Sequence, residues 1–396
     1  MSAKMGSVLG LLLVMVLVSG CWNRLPVEKR GTVSILGIDA VASGYLVTAA
    51  VINPAGLEAP APSGGGGGGG GGGQPMFLRQ ATAPTLAQAI HTLNASSFLL
   101  PDYTHLEDIV VSAAVARAGL ASALEYPGRS PEFSHTAWLV VAQNGSAADL
   151  IRAVQKDLPR PNEVLSQTLD WARLHTPFTP ERMMTAFKEM AMEGVSFSTV
   201  GVATGTAAQG SETVPLVVLS DALFRGDRLV GWVTGPAALG WAVAMGQVHY
   251  EVLPVPASQT VEAFDLELMG ARRTVRVIPA GDAPPQVDLT FRVKAHLATG
   301  NAGSNPWQRP GALDVMQKAA ATVLTSDVWD GLRTAQRDGS DSFGLGEFVR
   351  LADPAYWDLV RKNWAGGALG TLPLRVQVTV TIGSLGETFC TLLQFC

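Results

Sequence analysis

The stretch Asp221-Ala222-Leu223-Phe224-Arg225-Gly226-Asp227-Arg228-Leu229-Val230-Gly231-Trp232 decides how this chain is interpreted. Two apolar arms flank a polar Arg-Gly-Asp-Arg turn, and a Gly-Asp pair favours a tight reversal, so the stretch predicts a β-hairpin. A strand is predicted just before it, over residues 215–219, and a short helix just after it, over residues 235–245. A second structural region of the chain therefore begins near residue 200.

Upstream of the hairpin, apolar runs of strand length alternate with segments of helical periodicity. Such alternation is typical of a mixed α/β domain. The strands are predicted at residues 33–39, 45–52, 105–111 and 138–142, and the helices at residues 85–96, 112–124, from 146 onward, and 180–192.

Downstream of the hairpin, the strand patterns have a clear period of two. Residues 287–297 and 374–382 alternate apolar and polar side chains, which predicts sheets with one buried and one solvent-exposed face. Segments 264–268 and 275–277 are predicted to form a hairpin of their own beside them.

Two helices are predicted in the same region. The first is a long amphipathic helix over residues 313–336. The second has Asp353 as its N-cap and Pro354 at its first helical position, and it stops at Gly366-Gly367. The fold class predicted for the whole chain is α+β: a multi-domain mixed α/β body with largely antiparallel sheets and packed helices.

Residues 55–75 form a segment of a different kind. They include ten consecutive glycines, Gly64 to Gly73. Poly-glycine offers no side chain to a core and has a high ordering cost, so a flexible loop is predicted. No predicted strand leads into it and no predicted helix follows it, which argues against a phosphate-binding loop.

The amino terminus carries a targeting pattern. Lys4 precedes an apolar run over residues 8–18, and Ser19-Gly20 then lead into Cys21. This arrangement resembles a bacterial lipobox, in which the cysteine thiol receives a diacylglyceryl group and cleavage leaves that cysteine first. The resemblance implies a signal peptide over residues 1–20 and lipidation at Cys21 by fatty acyl chains such as palmitate. An ordinary secretory signal and an uncleaved anchor helix are the alternatives.

Composition limits the class of partner. The chain has 396 residues and a formal net charge of −5, and no block of lysine and arginine follows a nucleic-acid pattern. After Cys21 no apolar stretch reaches the length of a bilayer span. Cys390 and Cys396 lie in a short tail, residues 388–396, where they form either a disulfide or two thiols at a frayed terminus.

The sequence shows no pattern of a catalytic or metal site. Its six histidines are scattered, no two of them have the i, i+4 spacing of a zinc-binding helix, and the cysteines lack metal-ligand spacing. Asp102, His105 and Glu107 form the densest polar cluster around a histidine. A polar entry to a strand explains that cluster more simply than a site does. We therefore expect neither an enzyme nor a cofactor.

Several segments together resemble one family, the Ger(x)C lipoproteins, which are the C subunits of spore germinant receptors. They are Cys21-Trp22, Leu36-Gly37-Ile38-Asp39, the hairpin 221–232, and the loop Asp341 to Gly346 with Phe343 and Gly344 at matching positions. Gln336 is the counterpart of a glutamine that precedes this loop in the family. The family usually carries an acidic residue where this chain has residues 295–298, and none is present there.

This resemblance implies a non-catalytic, lipid-anchored receptor subunit that assembles with polytopic membrane subunits and takes part in nutrient-triggered spore germination. Its place would be the extracytoplasmic face of a membrane, the spore inner membrane by analogy. The implied division is an N-terminal domain over 21–199, which contains the loop 55–75, and a C-terminal domain over 200–387 with one or two modules. An extracytoplasmic solute-binding lipoprotein is the alternative, and a hydrolase lacks any supporting motif.

Overall fold

The structure is a computed structural model that describes residues 29–53, 76–156, 161–205, 216–259, 261–281, 283–300 and 310–384. Within these ranges the chain forms two sheets of unequal size, each with its own hydrophobic core. The α+β class predicted from the sequence is confirmed.

The larger sheet contains ten strands among the described residues. They are β1 (Arg30–Val41), β2 (Gly44–Ile52), β3 (Met76–Ala83), β4 (Leu100–Asp102), β5 (Asp108–Ser112), β6 (Trp138–Ala142), β7 (Glu181–Arg182), β8 (Ser198–Ala203), β9 (Val217–Arg225) and β10 (Arg228–Val233). Their order is β10-β9-β8-β6-β5-β1-β2-β3, with β4 beside β1 and β7 beside β6. The central strands β1, β5, β6 and β8 run parallel, whereas both flanks are antiparallel.

Helices cover both faces of this sheet, which is why β5 and β6 are buried at every position and, apart from Asp108 and Ser112 at the ends of β5, apolar. One face packs against α1 (Leu86–Ala95), α2 (Ala113–Ala118), α3 (Leu120–Arg129) and α6 (Met183–Met190). The other face packs against α4 (Ala147–Lys156) and α5 (Pro161–His175).

The smaller sheet contains four strands in sequence order: β11 (Glu251–Val255), β12 (Phe264–Ala280), β13 (Ala283–Gly300) and β14 (Leu374–Ser384). Its first three strands are antiparallel, whereas β14 runs parallel to β13. Its inner face shares a core with α7 (Pro236–Met245), α8 (Ala312–Asp338), α9 (Leu345–Ala352) and α10 (Pro354–Val360). Its outer face follows the predicted alternation and is open to solvent.

Strand β9 joins the two cores. Leu223 is fully buried in the core of the smaller sheet, and its neighbours Ala222 and Phe224 are fully buried in the core of the larger sheet. Because successive side chains of a strand point to opposite faces, one short strand serves both cores. The predicted hairpin over residues 221–232 is confirmed, with Gly226 in the left-handed region at its turn. The predicted boundary between residues 199 and 200 falls inside β8, and the larger sheet continues through Val233.

The hairpin predicted from segments 264–268 and 275–277 is wrong. Both segments belong to the single strand β12, whose partner across the turn is β13. The register shift at Leu268/Gly270 marks a bulge in β12 at Met269, and the shift at Asp265/Leu266 marks a bulge in β13 at Ala298. A bulge moves the apolar positions to the other sequence parity, and in the sequence such a break looks like a turn between two strands.

The helix predicted over residues 112–124 is also wrong, because it is two helices, α2 and α3, that meet at Gly119. Gly119 has φ +132°, and the N–H of Leu120 donates to the carbonyl oxygen of Asp227 at 2.8 Å. The N–H of Ala121 donates to the Asp227 carboxylate at 3.3 Å. The break is thus made by the hairpin turn, more than a hundred residues further along the chain.

Other predicted bounds shift by a few residues. Strand β5 begins at Asp108 and not at residue 105, because residues 103–106 form a turn in which the N–H of Leu106 donates to the Tyr103 carbonyl. Helix α6 begins at Met183, after the short strand β7. The N-cap at Asp353 is confirmed, since its carboxylate accepts the N–H of Tyr356. The helical path after it does not stop at Gly366-Gly367 but continues in 3-10 and π turns through Thr371.

Replacing Gly119 by Ala tests the junction between α2 and α3. A Cβ at this position would lie 2.6 Å from the Asp227 carboxylate, in a backbone conformation that L-residues avoid. We expect Gly119→Ala to lower the free energy of unfolding by at least about 2 kcal/mol, measured by urea denaturation. Gly145→Ala is the matched control, because Gly145 also has positive φ but nothing lies within 4 Å of its added Cβ.

The control variant should lose about 1 kcal/mol from backbone strain alone. Equal losses in the two variants would show that the contact with Asp227 contributes nothing to the junction.

Glu251 is a buried carboxylate at the start of β11. It is 4% exposed, and it accepts the N–H of His249 at 2.6 Å. Its second oxygen has no hydrogen-bond partner among the described residues. Burial raises the pKa of Glu251 to about 8, although the N–H bonds oppose that rise. At neutral pH the folded chain therefore holds a proton that the unfolded chain releases.

This proton makes stability depend on pH in a defined direction. The folded pKa lies above the unfolded one, so the stabilisation is complete below the unfolded pKa and is lost as pH rises toward about 8. We expect wild type to lose stability relative to Glu251→Gln between pH 5 and pH 8, by at most about 1.4 kcal/mol per pH unit. Urea denaturation of both chains across this range measures the difference, and a difference that stays constant with pH would contradict the assignment.

Candidate functional site

The predicted lipidation site, Cys21, lies outside the described residues, as do Cys390, Cys396 and the loop 55–75. Lipidation at Cys21 therefore stays a prediction from sequence. The other motifs that the sequence singled out lie inside the described ranges, and three of them contain an aspartate at a key position: Asp39, Asp227 and Asp341.

Asp39 ends the buried stretch of β1. Its carboxylate accepts the backbone N–H groups of Ala147 and Ala148 at 2.8 and 3.0 Å, at the start of α4. The first N–H groups of a helix have no partner within that helix, and a carboxylate satisfies them well. Burial raises the pKa of Asp39, and the two N–H bonds oppose that rise. The Gly-Ile-Asp motif therefore caps a helix that begins more than a hundred residues later.

Asp227 does the same for α3, as described above, and the rest of its hairpin is packed as closely. A Cβ on Gly231 would lie 2.1 Å from the Asp338 carboxylate at the end of α8, so any larger residue would force the Asp338 side chain to move. Leu229 is buried and Trp232 packs against the same core. The hairpin motif thus fixes contacts to α3, to α8 and to the core of the larger sheet.

Asp341 lies in the loop between α8 and α9 and is 1% exposed. Its carboxylate accepts three N–H groups: those of Leu345 at 2.8 Å and Gly346 at 2.7 Å, and the indole N–H of Trp364 at 2.8 Å. Burial raises the pKa of Asp341 to about 6, while these three bonds and the Arg273 guanidinium oppose that rise. The loop predicted from residues 341–346 is the cap of α9.

The same loop connects the two sheets. The N–H of Asp341 donates to Ser196 Oγ and the N–H of Ser196 donates to the Asp341 carbonyl, each at 2.9 Å. Arg273 on β12 donates to the Phe343 carbonyl at 2.8 Å. Gln336 donates its side-chain N–H to the Leu369 carbonyl at 2.9 Å, which holds the turn before β14. Sequence patterns gave no sign of Ser196 or Arg273, since neither lies near this loop in the chain.

The polar cluster Asp102, His105 and Glu107 is divided in the structure. Asp102 forms an ion pair with Arg30 at 3.0 Å and accepts the N–H of Thr104. His105 and Glu107 instead line a pocket of about 510 Å³ that α5 closes with Ser166 and other polar residues. This pocket was not predicted from the sequence because α5 was not predicted, although α5 has apolar residues at helical spacing: Val164, Leu165, Leu169 and Ala172.

Acidic and basic groups meet in this pocket. The Glu107 carboxylate accepts a hydrogen bond from the Ser166 hydroxyl, with 3.0 Å between the oxygens, and burial raises the pKa of Glu107. The Arg182 guanidinium stacks on Trp138 at 3.4 Å and donates to the Thr136 carbonyl at 2.7 Å. Behind this pocket, at the start of β5, burial raises the pKa of Asp108 well above its usual value, which favours the neutral form. Neither of its carboxylate oxygens has a hydrogen-bond partner among the described residues. The pocket can hold a small polar solute.

In the described ranges, no group of three or more His, Cys, Asp and Glu side chains is placed to hold a metal ion. None of the helices described there is both long enough and apolar enough to cross a membrane.

The fold and the motifs together define a class of protein: an α+β chain of two sheets whose characteristic sequence motifs cap helices and connect distant segments. Comparison with known proteins finds two family models that match successive parts of the chain. Residues 23–202 match the family model described as a spore germination protein N-terminal domain. Residues 221–386 match the model described as spore germination B3/GerAC-like, C-terminal. The chain belongs to this family of spore germination proteins.

Individual relatives support this assignment. Spore germination protein KC of Bacillus subtilis (strain 168) is 20% identical over 393 residues, which are 95% of this chain and 94% of that protein. The putative spore germination protein YfkR of the same strain is 20% identical over 354 residues, 89% of this chain and 90% of that protein. The crystal structure of the GerBC protein has the same fold, with a TM-score of 0.57 and 17% identity over 88% of this chain and 96% of that one.

Replacing Asp341 by Asn tests whether its carboxylate holds the loop between α8 and α9. Asparagine has one acceptor oxygen in place of two, and its NH₂ group would face N–H donors in a buried site. We expect Asp341→Asn to lower the free energy of unfolding by about 3 kcal/mol, measured by urea denaturation.

Glu347→Gln is the matched control, because Glu347 lies in the first turn of the same helix and forms an exposed ion pair with Arg350. Its loss should stay below about 1 kcal/mol. If the two variants had equal free energies of unfolding, the hydrogen bonds to the Asp341 carboxylate would stabilise the fold no more than the exposed ion pair of Glu347 does.

Proposed function

We propose that this chain is a lipid-anchored, non-catalytic subunit of a spore germinant receptor. It would assemble with polytopic membrane subunits of that receptor and take part in nutrient-triggered spore germination. One observation carries the proposal: both halves of the spore germination family match in order, directly behind a lipobox-like sequence that ends at Cys21.

The anchor at Cys21 supplies the mechanism. A thioether-linked diacylglycerol places two chains in the bilayer, and two chains hold a protein stably where one does not. Eight residues separate Cys21 from Arg30, the first residue of β1, so even a fully extended connection keeps the start of β1 within about 30 Å of the membrane. Tethering raises the effective concentration of the body near membrane partners without any further contact. The body would lie on the extracytoplasmic face, and in the spore at the inner membrane.

The role of the motifs supports a non-catalytic subunit. The carboxylates of the three motif aspartates accept hydrogen bonds from backbone N–H groups, and the hairpin and loop glycines allow close packing. These are the needs of a body that keeps a fixed shape beside its partners. The named relatives are described as spore germination proteins and not as enzymes.

A solute-binding lipoprotein is the second candidate, since the pocket beside His105 and Glu107 has room for a small polar molecule. A protein that hands a solute to a transporter holds it in a cleft between two lobes. Here every lining residue belongs to the larger sheet and its helices. We therefore place the receptor subunit first.

Replacing Cys21 by Ala should release the protein from the membrane fraction while its fold and its far-UV circular dichroism stay unchanged. Intact mass of the detergent-extracted wild type should equal a chain that starts at Cys21 plus acyl groups. Cys390→Ala is the matched control, because it removes another thiol and should leave the membrane attachment intact. Persistent membrane attachment and function of Cys21→Ala would contradict the anchor.

A further inference from the structure

The outer face of the smaller sheet concentrates positive charge. In the register of β12, β13 and β14, Arg272 lies opposite Arg292, and Lys294 follows on the same face. Two rows further along the same face, Arg276, Asp288 and Arg375 lie side by side. The five cations are all exposed, and Asp288 is the one acidic side chain in these rows. We call the exposed side chains of these rows the basic sheet face.

This arrangement has an energetic cost. Like charges directly opposite each other on neighbouring strands destabilise a sheet, and Arg272 and Arg292 form such a pair. In the described part of the chain, no ion pair within 4.0 Å involves Arg272, Arg292 or Lys294. The chain as a whole carries a net charge of −5, so the basic sheet face is opposite in sign to the rest.

The shape and composition of the face narrow the choice of partner. Between the charged rows lie Thr274, Thr290 and Gln377, so no apolar side chain separates the cations, although Ile278 is exposed in the next row beyond Arg276. A flat array of separate cations suits a broad field of negative charge better than a single anionic group. The surface of a bilayer that contains anionic lipid is such a field, and it attracts each nearby lysine or arginine.

We propose that the basic sheet face binds the anionic surface of a lipid bilayer. This inference rests on the proposed function, because a lipid anchor brings the body within reach of a membrane. The binding is electrostatic, reversible and weakened by salt, and with the anchor it fixes which side of the body faces the bilayer. The remaining surface stays available to receptor subunits.

Vesicle co-sedimentation tests the inference with the mature chain carrying Cys21→Ala, so that acyl chains contribute nothing. Vesicles of phosphatidylglycerol and phosphatidylcholine are compared with vesicles of phosphatidylcholine alone. The variant Arg272→Gln/Arg292→Gln/Lys294→Gln removes three cations from the face. Each removed cation should weaken binding about fivefold, so the variant should bind the mixed vesicles roughly 100-fold more weakly.

The control variant, Arg117→Gln/Lys318→Gln/Arg333→Gln, removes three exposed cations from α2 and α8 and changes net charge equally. It should bind as the Cys21→Ala chain does. Equal loss of vesicle binding in the control variant and the face variant would overturn the inference. A Cys21→Ala chain that binds both kinds of vesicle equally would also overturn it, and that result is expected if the face binds an acidic protein instead. Intact mass reports the anchor separately, so loss of the anchor and loss of the face are distinguishable.

Discussion

The unpaired N–H groups at the starts of buried helices are the constraint on which this structure depends. A buried helix start without an acceptor costs free energy comparable to several lost hydrogen bonds. The chain satisfies α4 with Asp39, α3 with Asp227 and α9 with Asp341, and each carboxylate belongs to a strand end or a loop. Two of the three come from more than a hundred residues away. Helix starts and distant segments therefore fix each other, so that the larger sheet and its helices form one cooperative unit.

The reach of these contacts explains what could be predicted from sequence. The cap at Asp353 was predicted correctly, because donor and acceptor lie three residues apart and Pro354 marks the helix start. The junction at Gly119 was not, because its cause is the turn at Asp227. The bulge of β12 was mistaken for a turn. In the sequence, a bulge within one strand and a turn between two strands both shift the apolar residues from even to odd positions. The pocket beside Glu107 required α5, whose apolar spacing was present in the sequence but was not used.

The sequence resemblance and the physical analysis meet at the same residues. The segments that resemble the germination family are those with carboxylates on helix starts or with backbones in close contact. Family membership is therefore carried by architecture, and the wet surfaces that a receptor subunit would use for partners lie elsewhere. The basic sheet face and the pocket of α5 are two such surfaces, and neither contains a motif residue.

The parallel pairing of β14 with β13 has a consequence for biogenesis. Val287 of β13 meets Leu374 of β14 only after α8, α9 and α10 have been formed and folded back over the sheet. A nascent chain emerges amino terminus first, so the larger sheet can close while the smaller one still lacks its last strand. Pairing between such distant segments is slow. Until β14 pairs with it, the open edge of β13 is therefore the part of the nascent chain most exposed to incorrect pairing.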